Sequence, residues 1–342
     1  MYMKRILFIL VFVWCAIHLA SAQDGNTVET VDFKPKIQGT IRGKFEYQPE
    51  IDASRFQVRN ARFCITGQVH PTVNYKAEID LSDEGTIRML DAYTQLTSYK
   101  NLEFTIGQMR VPFTVDAHRS PHQQHFANRS FIAKQVGNVR DVGAMAGYSL
   151  AGALPIIAEA GAFNGSGLTE QKVWHKTMSY SAKIQFLFIP GMNLTLSAQS
   201  LKPENVRMSL FDVGFFYQFC NFHLEGEYLF KSYDEHLFVN VHAWNSFINY
   251  DLRLKKVFEK ISFLIRYDRM TNNNNGYADT ETSQLKITDY RRQRLTGGIT
   301  LSISKPFISD IRINYEKYYY PSAAIPKESE RNKFVIELMT RF

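Results

Sequence analysis

Residues 36–47, KIQGTIRGKFEY, repeat with a period of two. Ile37, Gly39, Ile41, Gly43, Phe45 and Tyr47 share one side, and Lys36, Gln38, Thr40, Arg42, Lys44 and Glu46 share the other. Successive side chains of a β-strand point to opposite faces, so the segment reads as a strand with an apolar and a charged face. TVNYKAEIDL (72–81), NLEFTIG (101–107) and FVIELMTRF (334–342) divide the same way. About sixteen such segments can be marked between residue 36 and residue 342, so the chain is all-β. Core and solvent would produce the same alternation in a soluble sandwich. The connections decide between the two. Short ones, such as His70-Pro71, Ile189-Pro190-Gly191 and Lys305-Pro306, alternate with longer polar ones at 48–54, 82–86, 110–138, 164–177, 202–207, 232–236, 269–284 and 320–332. An up-and-down meander then carries its short turns at one end and its long loops at the other. That is the layout of a transmembrane antiparallel β-barrel of the outer-membrane type.

The first residues agree. Lys4 and Arg5 precede the apolar run ILFILVFVWCAIHLA, and Ala20-Ser21-Ala22 supplies a small-residue cleavage pattern. Residues 1–22 are expected to be a signal peptide and 23–342 the barrel. The destination is the outer membrane, with its lipid as the surrounding partner. Twenty-six Phe and 18 Tyr accompany a mean hydropathy of only −0.25, as two-faced strands require. Tyrosines near strand ends, including Tyr47, Tyr148, Tyr267, Tyr318 and Tyr319, suit an interfacial girdle. Cys64 and Cys220 follow the leader and are expected to be unpaired.

About sixteen strands leave a water-filled bore, whereas about eight would leave one that side chains fill. Charged residues on the inward face then become candidates for selecting what passes. Arg42 and Lys44 face inward in the first strand. The second, RFQVRNARFCITGQV, changes phase near Asn60: Phe56 and Val58 share a face with Phe63 and Ile65 only if one extra residue intervenes. A β-bulge there would turn Arg59 and Arg62 toward the lumen. The long insert 110–138 adds Arg110, Arg119, Arg129 and Lys134, with Arg140 opening the next strand. Acidic residues, including Glu46, Glu78, Asp80, Asp91 and Glu103, also face inward, so the lumen is mixed. The net charge of +7 could suggest nucleic acid, but the basic residues are spread along an exported chain. No nucleic-acid partner is expected.

DAYTQLTSYKNLEFTIGQMRVPF, FANRSFI, RDVGAMAGY and the arginine-rich RNARFCITGQV resemble the phosphate-selective porin O and P family in ordered motifs covering most of 36–163, together with the C-terminal strand. The resemblance implies a sixteen-stranded outer-membrane porin, typically a homotrimer, whose third long loop folds into the lumen. Here that loop is 110–138. It also implies passive diffusion of small hydrophilic solutes, with an anion or phosphate-like preference. The insert holds a single lysine, Lys134, where phosphate-selecting members gather several.

Other readings compete. His118, His122 and His125 lie at helical spacing and could bind a transition metal, but Pro121 interrupts the run. If these histidines lined the pore, their titration near pH 6.5 would change its charge. An enzyme needs a nucleophile, base and orienter brought together, and no GxSxG or Cys/His spacing of that kind occurs. No cofactor-binding glycine pattern occurs either. A closed structural or adhesion barrel is the remaining alternative.

Overall fold

A computed structural model describes residues 33–99, 101–136, 139–152, 154–203, 206–255, 257–276 and 285–342. The expected signal peptide, 1–22, lies outside the described residues. The strands are β1 (Lys36–Gln48), β2 (Ala53–His70), β3 (Val73–Asp83), β4 (Thr86–Tyr99), β5 (Leu102–Arg110), β6 (Arg140–Leu150), β7 (Ile156–Phe163) and β8 (Ser179–Phe186). They continue as β9 (Met192–Leu201), β10 (Met208–Phe219), β11 (Phe222–Tyr233), β12 (Val241–Arg253), β13 (Lys260–Met270), β14 (Arg292–Ile303), β15 (Ile308–Tyr319) and β16 (Lys333–Arg341). Each pairs antiparallel with its sequence neighbours, and β1 pairs with β16, closing the barrel. No helix among the described residues is long and apolar enough to cross a membrane; crossing is by strands.

Closure needs a matched seam. Ile41 opposes Thr340 and Phe45 opposes Ile336. Beyond the last paired residues, Gly39 and Phe342 exchange both backbone hydrogen bonds, at 2.8 and 3.1 Å. The Phe342 ring lies over Gly39, where a Cβ would come within 2.3 Å of it, and meets Phe63 edge-on. Glycine is therefore required for this ring to lie flat against the outer wall.

The two faces divide as alternation dictates. Ile41, Phe56, Ile65, Ile106, Ile265 and Leu338 are exposed on the outer wall, while Arg42, Lys44, Glu46, Asp80 and Asp91 are buried inside. The β2 bulge occurs at Arg59: Arg42 pairs with Asn60, Gly43 with Val58, and the extra residue restores Phe56 and Val58 to the lipid side.

Four expectations need correction. The connection at 82–86 is a tight turn, because Glu84 (φ 44°) and Gly85 (φ 90°) adopt the left-handed pair that a two-residue hairpin needs. The connection at 48–54 shortens to 49–52. The strand-like pattern runs over 237–252 and 285–302, but residues 237–240 and 285–291 lie outside β12 and β14, and Asp289 makes only an isolated bridge with Asn273. Tyr318 is buried inside the lumen instead of serving the girdle, because its hydroxyl donates to Glu316 and accepts from Arg294. Cys64 and Cys220 are free.

Candidate functional site

After Arg110 the chain leaves the wall and crosses the lumen. Thr114 makes the turn at φ 61°, a left-handed conformation unusual for a β-branched residue. The strain aims three successive N–H groups at the opposite wall. Thr114 N–H donates to Ser197 Oγ at 3.0 Å, Val115 N–H to Glu227 Oε1 at 2.5 Å and Asp116 N–H to Glu227 Oε2 at 3.4 Å. Gly214 on β10 makes room, since a Cβ there would stand 2.4 Å from Val115 Cγ2. Asp116 then ties the loop to itself, accepting from Ser130 N–H at 2.9 Å and Ser130 Oγ at 2.8 Å. Ser130 in turn caps the short helix α1 (Phe131–Gln135), accepting from Ala133 N–H at 3.2 Å.

The loop seats on apolar ground. Val111, Phe113, Phe131, Ile132 and Val136 are buried against Leu201, Leu210, Leu229, Val241 and Met270. Those wall residues occupy inward positions, so one side of the lumen near the long-loop end is dry rather than polar. Each buried anchor contributes about 1.5–3 kcal/mol. Arg292 and Arg294 stack on Phe131 at 4.6 and 4.7 Å, and Arg266 stacks on Phe126 at 4.3 Å. Backbone carbonyls of the loop finish the docking. Ala127 O accepts from Arg42, Asn128 O from Arg266 and Arg129 O from Arg294, at 2.7, 2.9 and 2.7 Å. A loop held in a lumen has to satisfy its backbone polar groups this way.

Six of the nine basic candidates are tied to carboxylates. Arg42 binds Glu337 at 2.5 Å, Lys44 binds Glu46 at 2.7 Å and Arg62 binds Asp80 at 3.0 Å. Arg140 binds Asp91 at 2.6 Å, Lys134 binds Glu330 at 3.2 Å, and Arg119 grips Glu225 through both terminal nitrogens. Arg59, Arg110 and Arg129 differ: among the described residues no carboxylate lies within ion-pair distance of them. Arg110 donates to His118 O and Ser120 Oγ, and Arg129 to Asp116 O and Arg119 O. Arg110 also lines a polar cavity of about 230 Å³ with Lys76, Gln95, Glu103, His118 and Glu159. Residues 137–138 of the expected 110–138 loop lie outside the described residues.

The three histidines do not converge. His118 hydrogen-bonds Val111 O at 3.1 Å, His122 meets Arg341 on β16, and His125 stacks on His223. Burial pushes His118 and His125 well below the ordinary histidine range. Burial, with Arg341 and Arg110 nearby, pushes His122 down to about 4. Burial therefore favours the neutral form of all three in the seated loop, so they add little to the pore's charge near neutral pH. The linkage has a definite sign. A free loop would bind protons near pH 6.5, whereas the seated loop holds His122 down to about 4 and the other two well below the ordinary range, so seating is strongest above 6.5 and weakens as pH falls below it. Single-channel records are expected to show constant conductance from pH 8 to 5, with more gating events as pH drops from 6.5 to 4. A smooth conductance change centred on pH 6.5 would contradict this.

Glu225, Glu227, Asn314 and Glu337 were absent from the candidates read in sequence. Their only signal there was phase, since each sits on the charged face of its strand. Nothing local marks that a loop more than a hundred residues away will engage Glu225, Glu227 and Asn314, or that Glu337 will hold Arg42 of β1.

A closed sixteen-stranded barrel with an apolar outer band, a charged lumen and an inserted loop defines the class of outer-membrane diffusion channels. The sequence matches the phosphate-selective porin O and P family over residues 36–213, just over half of the chain, and the chain belongs to that family. Among curated protein sequences none matches. Solved structures are similar in fold. The outer-membrane channel DcaP of Acinetobacter baumannii shares 14% identity, covering 93% of this chain and 99% of its own, at a TM-score of 0.61. An anion-selective porin from Comamonas acidovorans shares 10% identity, covering 90% of this chain and 98% of its own, at 0.60. The trimer form of OmpT, an outer-membrane protein of Vibrio cholerae, shares 10%, covering 90% and 99%, also at 0.60.

Proposed function

We propose that this porin passes small hydrophilic solutes with a preference for anions, and that the inserted loop sets the constriction. The observation that carries the reading is the uneven neutralisation of the basic residues. Arg42, Lys44, Arg62, Arg119, Lys134 and Arg140 spend their charge on carboxylates and act as anchors. Arg110 and Arg129, both on or beside the loop, and Arg59 at the β2 bulge have no carboxylate in ion-pair contact among the described residues, although Asp116 lies near enough to Arg129 to offset part of its charge. Phosphate belongs to the family's name; the insert's single lysine, Lys134, is paired to Glu330, so the preference is assigned to small anions in general. It assigns no catalysis and no cofactor.

A charge about 4 Å from the ion path is worth about 1 kcal/mol even at the dielectric of bulk water, roughly a fivefold change in permeability ratio. Under a KCl gradient the reversal potential of the unaltered protein is expected to indicate chloride preference, and Arg110→Ala with Arg129→Ala to reduce it by about that factor. A cation-preferring wild type would overturn the reading. An unchanged ratio in the double variant would mean that these arginines only brace the loop.

We also propose a homotrimer in outer-membrane lipid. OmpT's trimer form supports it, as does a shallow apolar hollow on the outer wall. Ala144, Ala146, Ala160, Ala182 and Ala198 floor the hollow between Phe104 and Phe211. Small residues let protein surfaces approach closely in lipid. Unheated detergent-purified protein is expected to have the mass of three chains by light scattering, and Ala160→Trp to shift it toward one. A monomeric wild type would refute the proposal.

A further inference from the structure

His125 stands on the lumen loop, and His223 and Glu225 stand two residues apart on the inward face of β11. Their ligand-capable atoms all lie within 4.8 Å of one another, the only such grouping of three among the described residues. We propose that His125, His223 and Glu225 form a binding site for a borderline divalent transition ion, with zinc as its type, that clamps the loop to the wall. This differs from the His118, His122 and His125 set that sequence spacing suggested.

Geometry and chemistry both support the site. His223 Nε2 and Glu225 Oε2 are 3.2 Å apart. Two ligands at about 2.0–2.1 Å on a tetrahedral zinc stand roughly 3.3 Å apart, so this half of the site already has the right spacing. His125 supplies the third ligand by turning its ring, which now stacks on His223 with centroids 4.6 Å apart. Two imidazoles and one carboxylate suit zinc, nickel, cobalt or copper and not magnesium or calcium, which take oxygen ligands. Phe216 and Phe247 flank the His223 ring at 5.6 and 5.4 Å and limit its movement. Arg119 Nη1 holds Glu225 Oε1 at 2.7 Å. It can keep that oxygen while Oε2 turns to the ion, which is how an outer partner orients a ligating carboxylate. The same guanidinium opposes a cation, so binding requires Arg119 to give up its second contact with Glu225. His125 and His223 are mostly but not fully buried, the His223 side chain keeping 13% of its surface exposed, so an ion reaches them through a narrow opening to the lumen.

The test uses the full barrel in detergent, with zinc as the probe. Wild type is expected to retain about one zinc per chain after buffer exchange, with saturable binding by calorimetry that magnesium does not reproduce. Cobalt should give the visible absorption of a low-coordination nitrogen–oxygen site. His223→Gln and His125→Gln are each expected to weaken zinc binding at least about tenfold. His70→Gln, at the exposed turn between β2 and β3, should leave binding unchanged. Heat-shifted mobility on gels shows that each variant is folded. In bilayers zinc should reduce loop gating in wild type, and a chelator should reverse the effect. Absence of saturable zinc binding in folded wild type would overturn the proposal, as would binding that survives both substitutions. Either result would leave the channel reading untouched, since conductance and ion selectivity are measured without zinc.

Discussion

Replacing residues 112–136 by a short glycine-serine link is expected to raise single-channel conductance several-fold and to leave the barrel folded. The wall does not depend on the loop for its backbone pairing, since all sixteen strands pair with wall neighbours. What the loop occupies is the lumen, from Ser197 on β9 and Glu227 on β11 to Asn314 on β15. Removing it leaves Glu225 and Glu227 facing water, which solvates carboxylates at little cost. It also wets Leu201, Leu210, Leu229 and Met270, which some loss of thermal stability should register. Bilayer conductance and the temperature of heat-shifted gel mobility check the two effects separately. Unchanged conductance in a folded barrel would mean that the loop does not set the constriction.

Glu337→Leu is expected to unseat the loop tip without removing any of the loop. Glu337 is fully buried and accepts from Arg42 Nε at 3.0 Å, Arg42 Nη2 at 2.5 Å and Arg312 Nη1 at 2.8 Å. Arg312 also has Asp310 at 2.8 Å, whereas Arg42 has no other carboxylate in ion-pair contact among the described residues. Removing one partner of such a buried pair costs about 3–5 kcal/mol, because an uncompensated charge is left behind. Arg42 relieves the cost by swinging toward water, and in doing so it releases Gln124 Oε1 and Ala127 O, which it holds at 2.7 Å each. The expected result is frequent switching between the wild-type conductance and a larger one. Adding Arg42→Met to Glu337→Leu should recover part of the lost stability, and the four-variant cycle measures the coupling. A Glu337→Leu channel as quiet as wild type would show that the loop tip is held elsewhere.

The wall was legible in the sequence because its rule is local. Period two placed Arg42 and Lys44 inside and Ile41 and Phe45 outside, and the break in that period pointed to an extra residue near Asn60, which the structure puts at Arg59. Turn chemistry was harder to read. Glu84-Gly85 can end a loop or close a hairpin, and only the pairing of Asp83 with Thr86 distinguishes them. The inward fold of the loop came from family resemblance, since no period marks residues 110–138. The basic residues left without carboxylate partners were hidden from sequence reading, because Arg119 meets Glu225 across the lumen and Arg42 meets Glu337 across the β1–β16 seam. The dry patch was hidden for the same reason. Leu210 and Leu229 occupy inward phases and make sense only once Phe113 and Phe131 are seated among them.

The loop also has a mechanical consequence for the seam between β1 and β16. Arg42 belongs to β1, Asn314 to β15 and Arg341 to β16, and all three hold loop residues: Arg42 holds Gln124 and Ala127, Asn314 holds Ala127, and Arg341 holds His122. A segment that leaves the wall at β5 therefore braces, from inside, the one junction joining the two ends of the strand sequence. The Arg341–His122 contact spans 219 residues, the longest separation in the loop's docking, and the full set of contacts forms only once first and last strands are neighbours. Seating is thus a late assembly step, and a chain whose loop is seated is one whose barrel has already closed.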